Sequence, residues 1–148
     1  MPGPGRTATR ARSAARRHAV QALYQWQLTG QPWQDIYGQF SGDEGFAAVD
    51  DGYFKEALMQ VTAGREALDR DLALHSEVAL AQIDPVEHAI LYLGLWELLH
   101  RPDVPYRVVL NESVELAKRF GATDGHKFVN AVLDRASMVH RAPERGAA

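Results

Sequence analysis

The sequence predicts an all-α fold, a helical bundle of about seven helices. Apolar residues recur every three or four positions along most of the chain, and no segment alternates strictly, so no strand is expected. Helix start and stop signals punctuate that pattern, above all Asp84-Pro85-Val86-Glu87 and Gly121. The links are short, as between helices packed on their neighbours in a bundle.

The Pro- and Gly-rich start, residues 1–9, reads as a disordered arm. A helix follows from about Ala11 to Leu28. Ala15, Ala19, Ala22, Leu23 and Trp26 form its apolar stripe, and Gly30 ends it. Trp33 to Phe40 reads as a short helix with Pro32 near its first turn. Ser41-Gly42-Asp43-Glu44-Gly45 is a loop. A longer helical stretch runs from about Asp50 to Val78, with Phe54, Leu58, Val61, Leu68 and Leu72 as candidate core and Gly64 as a weak point.

At Asp84 the signals are strongest. Asp84 can cap, Pro85 suits the first turn, and Glu87 stands three residues after the cap. That Leu-rich helix runs to about His100 and is broken by Arg101-Pro102-Asp103-Val104-Pro105. The next runs from Pro105 to Phe120 and closes at Gly121 as a C-cap. Val109, Ser113, Leu116 and Phe120 share its inner face, and Glu115 and Arg119 are spaced to pair on the outer one. The last helix spans about Asp124 to Val139, with Phe128, Val132, Leu133 and Ala136 inward. The chain therefore reads as one helical domain over residues 10–140, with sub-bundles of about 10–80 and 81–140, and a flexible polar tail over 141–148.

Composition narrows the function. The 148 residues contain no cysteine, which excludes a disulfide scaffold, a thiolate nucleophile and cysteine-ligated metal. No apolar run is long enough to span a membrane and no hydrophobic signal core opens the chain, so a cytoplasmic protein is expected. The net charge of −3 argues against nucleic acid, but its distribution does not. Residues 1–30 carry Arg6, Arg10, Arg12, Arg16 and Arg17 with no acid. Residues 31–62 carry Asp35, Asp43, Glu44, Asp50, Asp51 and Glu56 against Lys55 alone.

Two places can hold an anion. Opposite the apolar stripe of the first helix stand Arg10, Arg17, Gln21 and Tyr24, the last three spaced i, i+4, i+7 along one side. Arg12 and Arg16 form a second pair flanking the core edge. A guanidinium offers phosphate a two-pronged donor, a tyrosine ring can stack an unpaired base, and Gln21 can read a base edge. A merely solvated helix face fits the same pattern. The second place is Asp124-Gly125-His126-Lys127-Phe128, where a helix N-terminus and Lys127 favour anions; a plain cap at Asp124 and a core Phe128 fit as well. Catalysis finds no support. The histidines at 18, 75, 88, 100, 126 and 140 are scattered, and no HExxH, GxSxG, P-loop or dinucleotide fingerprint occurs. Asp43-Glu44 and Asp50-Asp51 read as solvated charges. No catalytic residue, metal site or cofactor is expected.

Four stretches carry a resemblance. They are Ala14 to Leu28 (AARRHAVQALYQWQL), Asp51-Gly52-Tyr53-Phe54, Asp103 to Gly121 (DVPYRVVLNESVELAKRFG) and His126 to Asp134 (HKFVNAVLD). Together they resemble the NusB family of bacterial transcription antitermination factors from about Arg10 to Val139, the third most specifically. The resemblance implies two stacked three-helix sub-bundles. It implies binding of boxA-type single-stranded RNA in ribosomal RNA leader transcripts, together with NusE (ribosomal protein S-ten), within an antitermination complex with other Nus factors on RNA polymerase. A monomer and a homodimer both remain open. Carried over by position, RNA contacts fall on Arg12, Arg16, Gln21 and Tyr24 of the first helix, beside Arg17 from the wheel. A second contact region falls on Asp124, Lys127 and Phe128, and the protein-partner contact on Glu87. Some relatives have an unbroken arginine run where this chain has Ser13 and Ala14, which Arg10 and Arg17 can offset. Two alternatives accompany this reading. One is an accessory RNA-binding domain like those of rRNA cytosine methyltransferases, although no cofactor-binding domain falls within the 148 residues. The other is a helical adaptor that binds only protein.

Overall fold

The computed structural model describes the main chain of residues 4–146 and the side chains of residues 8–146. Among these residues there are seven α-helices and no strand, as expected. They fall into two compact units, divided between Ala63 and Gly64.

The first unit holds α1 (Pro4–Thr29), α2 (Trp33–Ser41) and α3 (Asp51–Ala63), each packed on the other two. The helix α1 starts at Pro4, well before the expected start near Ala11. Proline is tolerated in a first turn, and Thr7, Ala8, Thr9 and Arg10 contain no breaker, so residues 4–9 are helical rather than a disordered arm. Residues 1–3 lie outside the described residues. Ala15, Ala19, Ala22 and Leu23 are buried as the stripe predicts, and Trp26 is half-buried. Between α2 and α3 the expected loop contains a short 3-10 helix, Glu44–Ala48, which delivers Phe46 to an aromatic cluster. Phe46 meets Phe54 edge-on at 5.5 Å between centroids, and His18 meets both rings edge-on. His18 is fixed there by a hydrogen bond between Nδ1 and the Ala14 carbonyl (2.8 Å).

The second unit holds α4 (Arg65–His75), α5 (Pro85–His100), α6 (Tyr106–Phe120) and α7 (Gly125–His140). The expected continuous helix over 50–78 is two helices. Gly64 leaves helical geometry (φ −101°, ψ 16°), and Thr62 diverts its hydroxyl to the Leu58 carbonyl (2.8 Å). Because α4 packs on α5 and α7, the boundary lies at 63/64 instead of near 80, and this unit has four helices, not three. Asp69 of α4 anchors the packing, accepting from the Tyr92 hydroxyl (3.0 Å) and pairing with His88 Nε2 (2.8 Å) on α5.

Helix α5 begins as predicted. Asp84 accepts from the amides of Val86 (2.8 Å) and Glu87 (3.4 Å), with Pro85 in the first turn. From Glu87 to Leu98 every residue is buried, the mark of a central helix. Gly94 lets α6 and α7 approach it, because a Cβ there would stand 2.6 Å from Leu133 Cδ1 and 3.0 Å from Ser113 Oγ. On α6, Glu115 pairs with Lys118 (3.8 Å) instead of Arg119, whose guanidinium lies 5.5 Å from the Phe120 ring. Gly121 ends the helix as its C-cap, as expected, in extended backbone (φ −88°, ψ 178°).

The tail is also corrected, for residues 141–146. Arg141 is buried and donates to the carbonyls of Leu98 (3.0 Å), Val104 (2.8 Å), Glu97 (3.1 Å) and Arg101 (2.9 Å), closing the C-terminus of α5. Glu144 pairs with Arg141 (2.6 Å) and accepts from the Tyr106 amide (2.7 Å), capping α6, whose own N-cap is a proline. Arg145 pairs with Asp134 (2.9 Å) over the Tyr106 ring. Far from fraying, this segment is a clasp across three helices.

Candidate nucleic-acid interface

Burial of the apolar stripe turns the opposite side of α1 outward. Gln21 is exposed, Tyr24 is 38% exposed and Arg17 is half-buried at the start of the same row. The side chains of Arg17, Gln21 and Tyr24, and of the exposed Arg10, make no hydrogen bond or ion pair with a described residue. The row thus presents two cations, an amide and a ring whose polar groups are uncommitted within the protein.

Arg12 and Arg16 behave differently. Arg12 lies 4.2 Å from the centre of the Tyr53 ring and pairs with Asp50 at 3.5 Å. Arg16 is only 3% exposed, with its guanidinium 5.6 Å from the same ring. A phosphate can reach Arg12 beside Asp50, but it cannot reach Arg16 without moving that side chain. Arg16, expected as an RNA contact, is therefore a buried side chain against the Tyr53 ring. The residues that create this division, Asp50 and Tyr53, come from the start of α3. Asp50 accepts from the Tyr53 amide (3.2 Å), and its own amide donates to the Ala11 carbonyl (3.0 Å). Its neighbour Asp51 accepts from the Tyr37 hydroxyl (2.5 Å), which pushes the Tyr37 pKa up. Neither aspartate is the free solvated charge that the sequence suggests. The only sequence signal for this pair was the Asp51-Gly52-Tyr53-Phe54 stretch.

In the second unit, Asp124 holds the N-cap position of α7 in left-handed backbone (φ 66°), and its side chain makes no capping bond. It pairs instead with Lys127 at 3.4 Å, both side chains well exposed. Phe128 is half-buried, while Val129, Val132, Leu133 and Ala136 take the inner face. Phe128 thus keeps part of its ring accessible, contrary to a pure core reading. Glu87, expected at a partner surface, is buried instead. Its carboxylate oxygens stand 3.0 Å from where a Gly125 Cβ would be. Burial raises its pKa and nearby Asp84 adds to that, while the Ala122 amide donating to it opposes. It supports the turn into α7 from beneath. Also within the second unit, Asp71, His75 and His140 bring three metal-ligating groups together.

A sequence profile described as the NusB family matches residues 13–138. The chain belongs to the NusB family. The transcription antitermination protein NusB of Pseudomonas putida (strain GB-1) is 51% identical over 133 residues, covering 90% of this chain and 80% of that protein. That of Xanthomonas axonopodis pv. citri (strain 306) is 43% identical over 136 residues, 92% of this chain and 86% of its own. Both are named for transcription antitermination, not for a catalysed reaction. A T. maritima NusB structure superposes with a TM-score of 0.79 at 24% identity, covering 99% of each chain. A crystal structure of the antitermination factors NusB and NusE with double-stranded RNA gives 0.70 at 24% identity, covering 88% of this chain and 96% of that one. These two likenesses establish a shared NusB fold. No helix among the described residues is long and apolar enough to cross a membrane.

Proposed function

We propose that this NusB-family chain is a transcription antitermination factor that binds boxA-type single-stranded RNA of ribosomal RNA leader transcripts. It does so with NusE, joins other Nus factors on RNA polymerase and suppresses premature termination. The observation that carries the reading is the outward row Arg17, Gln21 and Tyr24 on α1, uncommitted to any described residue, in a chain of this family. Arg10 and Arg17 supply phosphate donors, Arg12 shares its charge between Asp50 and a phosphate, and Tyr24 offers a face to an unstacked base. Lys127 and Phe128 provide the second contact region, with Asp124 holding the turn in its left-handed conformation. A structure of the same fold described with NusE and RNA supports both partners. Its RNA is double-stranded; the exposed ring at Tyr24 favours unpaired bases here.

Fluorescence anisotropy with a labelled boxA-type single strand, a scrambled strand and a duplex tests this, each with and without NusE. The boxA strand is expected to bind most tightly, and more tightly with NusE present. Equal affinity for all three RNAs would remove boxA recognition. Binding to NusE but to no RNA would favour the protein-only adaptor.

A further inference from the structure

Folding brings together three side chains that the sequence scatters. Asp71 and His75 stand one turn apart on α4, and His140 is the last residue of α7, which packs on α4. His75 Nε2 lies 3.1 Å from Asp71 Oδ1, and His140 Nε2 lies 2.6 Å from Asp71 Oδ2. The imidazole rings stand 6.3 Å apart at 82°, so their nitrogens converge on one carboxylate from different directions. One donor atom from each residue falls within 4.8 Å of the other two. All three side chains are half-buried, so the donors are partly desolvated yet reachable from solvent.

We propose that Asp71, His75 and His140 bind a divalent transition-metal ion of the zinc class, with water completing the coordination. Two imidazoles and a carboxylate suit zinc and its neighbours, and the chain has no thiolate to shift the preference toward softer ions. Metal–ligand bonds of roughly 2.0–2.2 Å place tetrahedral donors about 3.4 Å apart. The two imidazoles meet different oxygens of Asp71, so the contacts at 3.1 and 2.6 Å need to open by less than about 1 Å, while donor separations of up to 4.8 Å close by at most about 1.4 Å. His140 ends its helix and can supply that movement. On binding, each ring ligates through an unprotonated Nε2, its remaining proton held on Nδ1 and any second proton released to solvent, and the carboxylate exchanges its two imidazole contacts for the ion. The neighbouring polar cluster of Asp69, His88 and Tyr92 offers one imidazole only and remains a hydrogen-bonded anchor. Arg135 of α7 stands beside the site with its Nε donating to the His75 carbonyl (2.8 Å), which fixes the end of α4 and directs that nitrogen to the main chain. A bound ion cross-links α4 to α7 next to Arg141, the residue that closes α5.

The test uses the full chain without a histidine tag, stripped with chelator, titrated with cobalt(II) and then zinc(II). Expected are visible d–d bands of a four- or five-coordinate cobalt ion that saturate at a single equivalent, and their loss when zinc is added. His75→Gln and His140→Gln should each weaken zinc binding by at least about 100-fold, since losing even a group that only orients a ligand costs 10–100-fold. His100→Gln, at an exposed histidine outside the cluster, should leave it unchanged. Nitrogen-detected NMR of the wild-type histidines gives a readout that needs no variant: zinc must shift Nε2 of His75 and His140 together. Absence of saturable binding, binding that survives the His75/His140 double replacement, or unmoved Nε2 resonances would each overturn the proposal.

Discussion

Replacing Arg10 and Arg17 together by Ala is expected to flatten the salt dependence of RNA binding without disturbing the fold. Neither guanidinium is committed to a described residue, so each is available for a phosphate. A phosphate contact to single-stranded nucleic acid contributes about 0.7 to the slope of log K against log salt. Losing two should reduce the slope by about 1.4. Between 50 and 200 mM salt, this removes about a sevenfold part of the wild-type change in affinity. Arg16→Ala should act in the opposite sense: the buried guanidinium over Tyr53 contributes to folding, so stability should fall by about 2 kcal/mol with little change in slope. Arg12→Ala should flatten the slope by less than a full contact, because Asp50 already neutralises part of that charge. Anisotropy titrations at four salt concentrations, with thermal melts of each variant, read both quantities. An unchanged slope in the Arg10/Arg17 variant, or a flattened slope with unchanged stability in Arg16→Ala, would refute this division of the arginines.

Tyr24→Ala is expected to cost about 1–3 kcal/mol of RNA affinity with little change in melting temperature, and Tyr24→Phe to retain most of it, if the exposed ring stacks on a base. Two carboxylates should give opposite pH signatures in urea unfolding. Burial raises the Glu87 pKa, so its contribution is full below the usual carboxylate value of about 4.5 and lost as pH rises through the folded value; Glu87→Gln should be relatively more stable at neutral pH, with the gain vanishing in acid. The Tyr106 amide, with Arg141, lowers the Glu144 pKa, so its contribution is present above the usual value and lost as pH falls; Glu144→Gln should be less stable at neutral pH and converge with wild type in acid. Arg141→Ala should destabilise the second unit by about 3–5 kcal/mol, since it strips donors from the end of α5 and leaves Glu144 without its cation, and Lys should recover only part because it lacks the planar fork. Denaturation followed through the buried Trp96, with Trp26 and Trp33 replaced by Phe, measures it; a loss below about 1 kcal/mol would contradict the capping role.

What the sequence could and could not reveal follows the range of the interactions involved. Helices α5 to α7 were legible almost to the residue because caps and breakers act within a turn: Asp84 with Val86 and Glu87, Pro105 before Tyr106. The outward row of α1 was legible for the same reason, since helical spacing alone decides which side faces away from Ala15, Ala19 and Leu23. The break at Gly64 was only hinted at, because it lies between helices with no side-chain cap. The clasp at 141–146 carried no periodic signal. Its order comes from Arg141 reaching carbonyls 37 to 44 positions earlier, contacts that exist only once α5 and α7 have packed. The burial of Glu87 and the convergence of His75 with His140 belong to the same class.

The same distinction changes the meaning of the thinned arginine run. By count, Ser13 and Ala14 are missing cations in a stretch where some relatives carry arginine. By position they are not equivalent to Arg10 and Arg17. Ala14 is buried and its carbonyl is engaged by His18, and Ser13 is half-buried. A long cation at 14 would start from the inner side of α1, as Arg16 does, and would have to find a mount of its own. The mount that exists, the Tyr53 ring, is already occupied by Arg12 and Arg16, with Asp50 beside it. The number of arginines in the run therefore overstates the number of phosphate contacts. An acidic protein with few uncommitted guanidinium groups can keep its RNA face if those few are at 10 and 17. Restoring arginine at 13 or 14 should accordingly raise RNA affinity less than removing Arg17 lowers it.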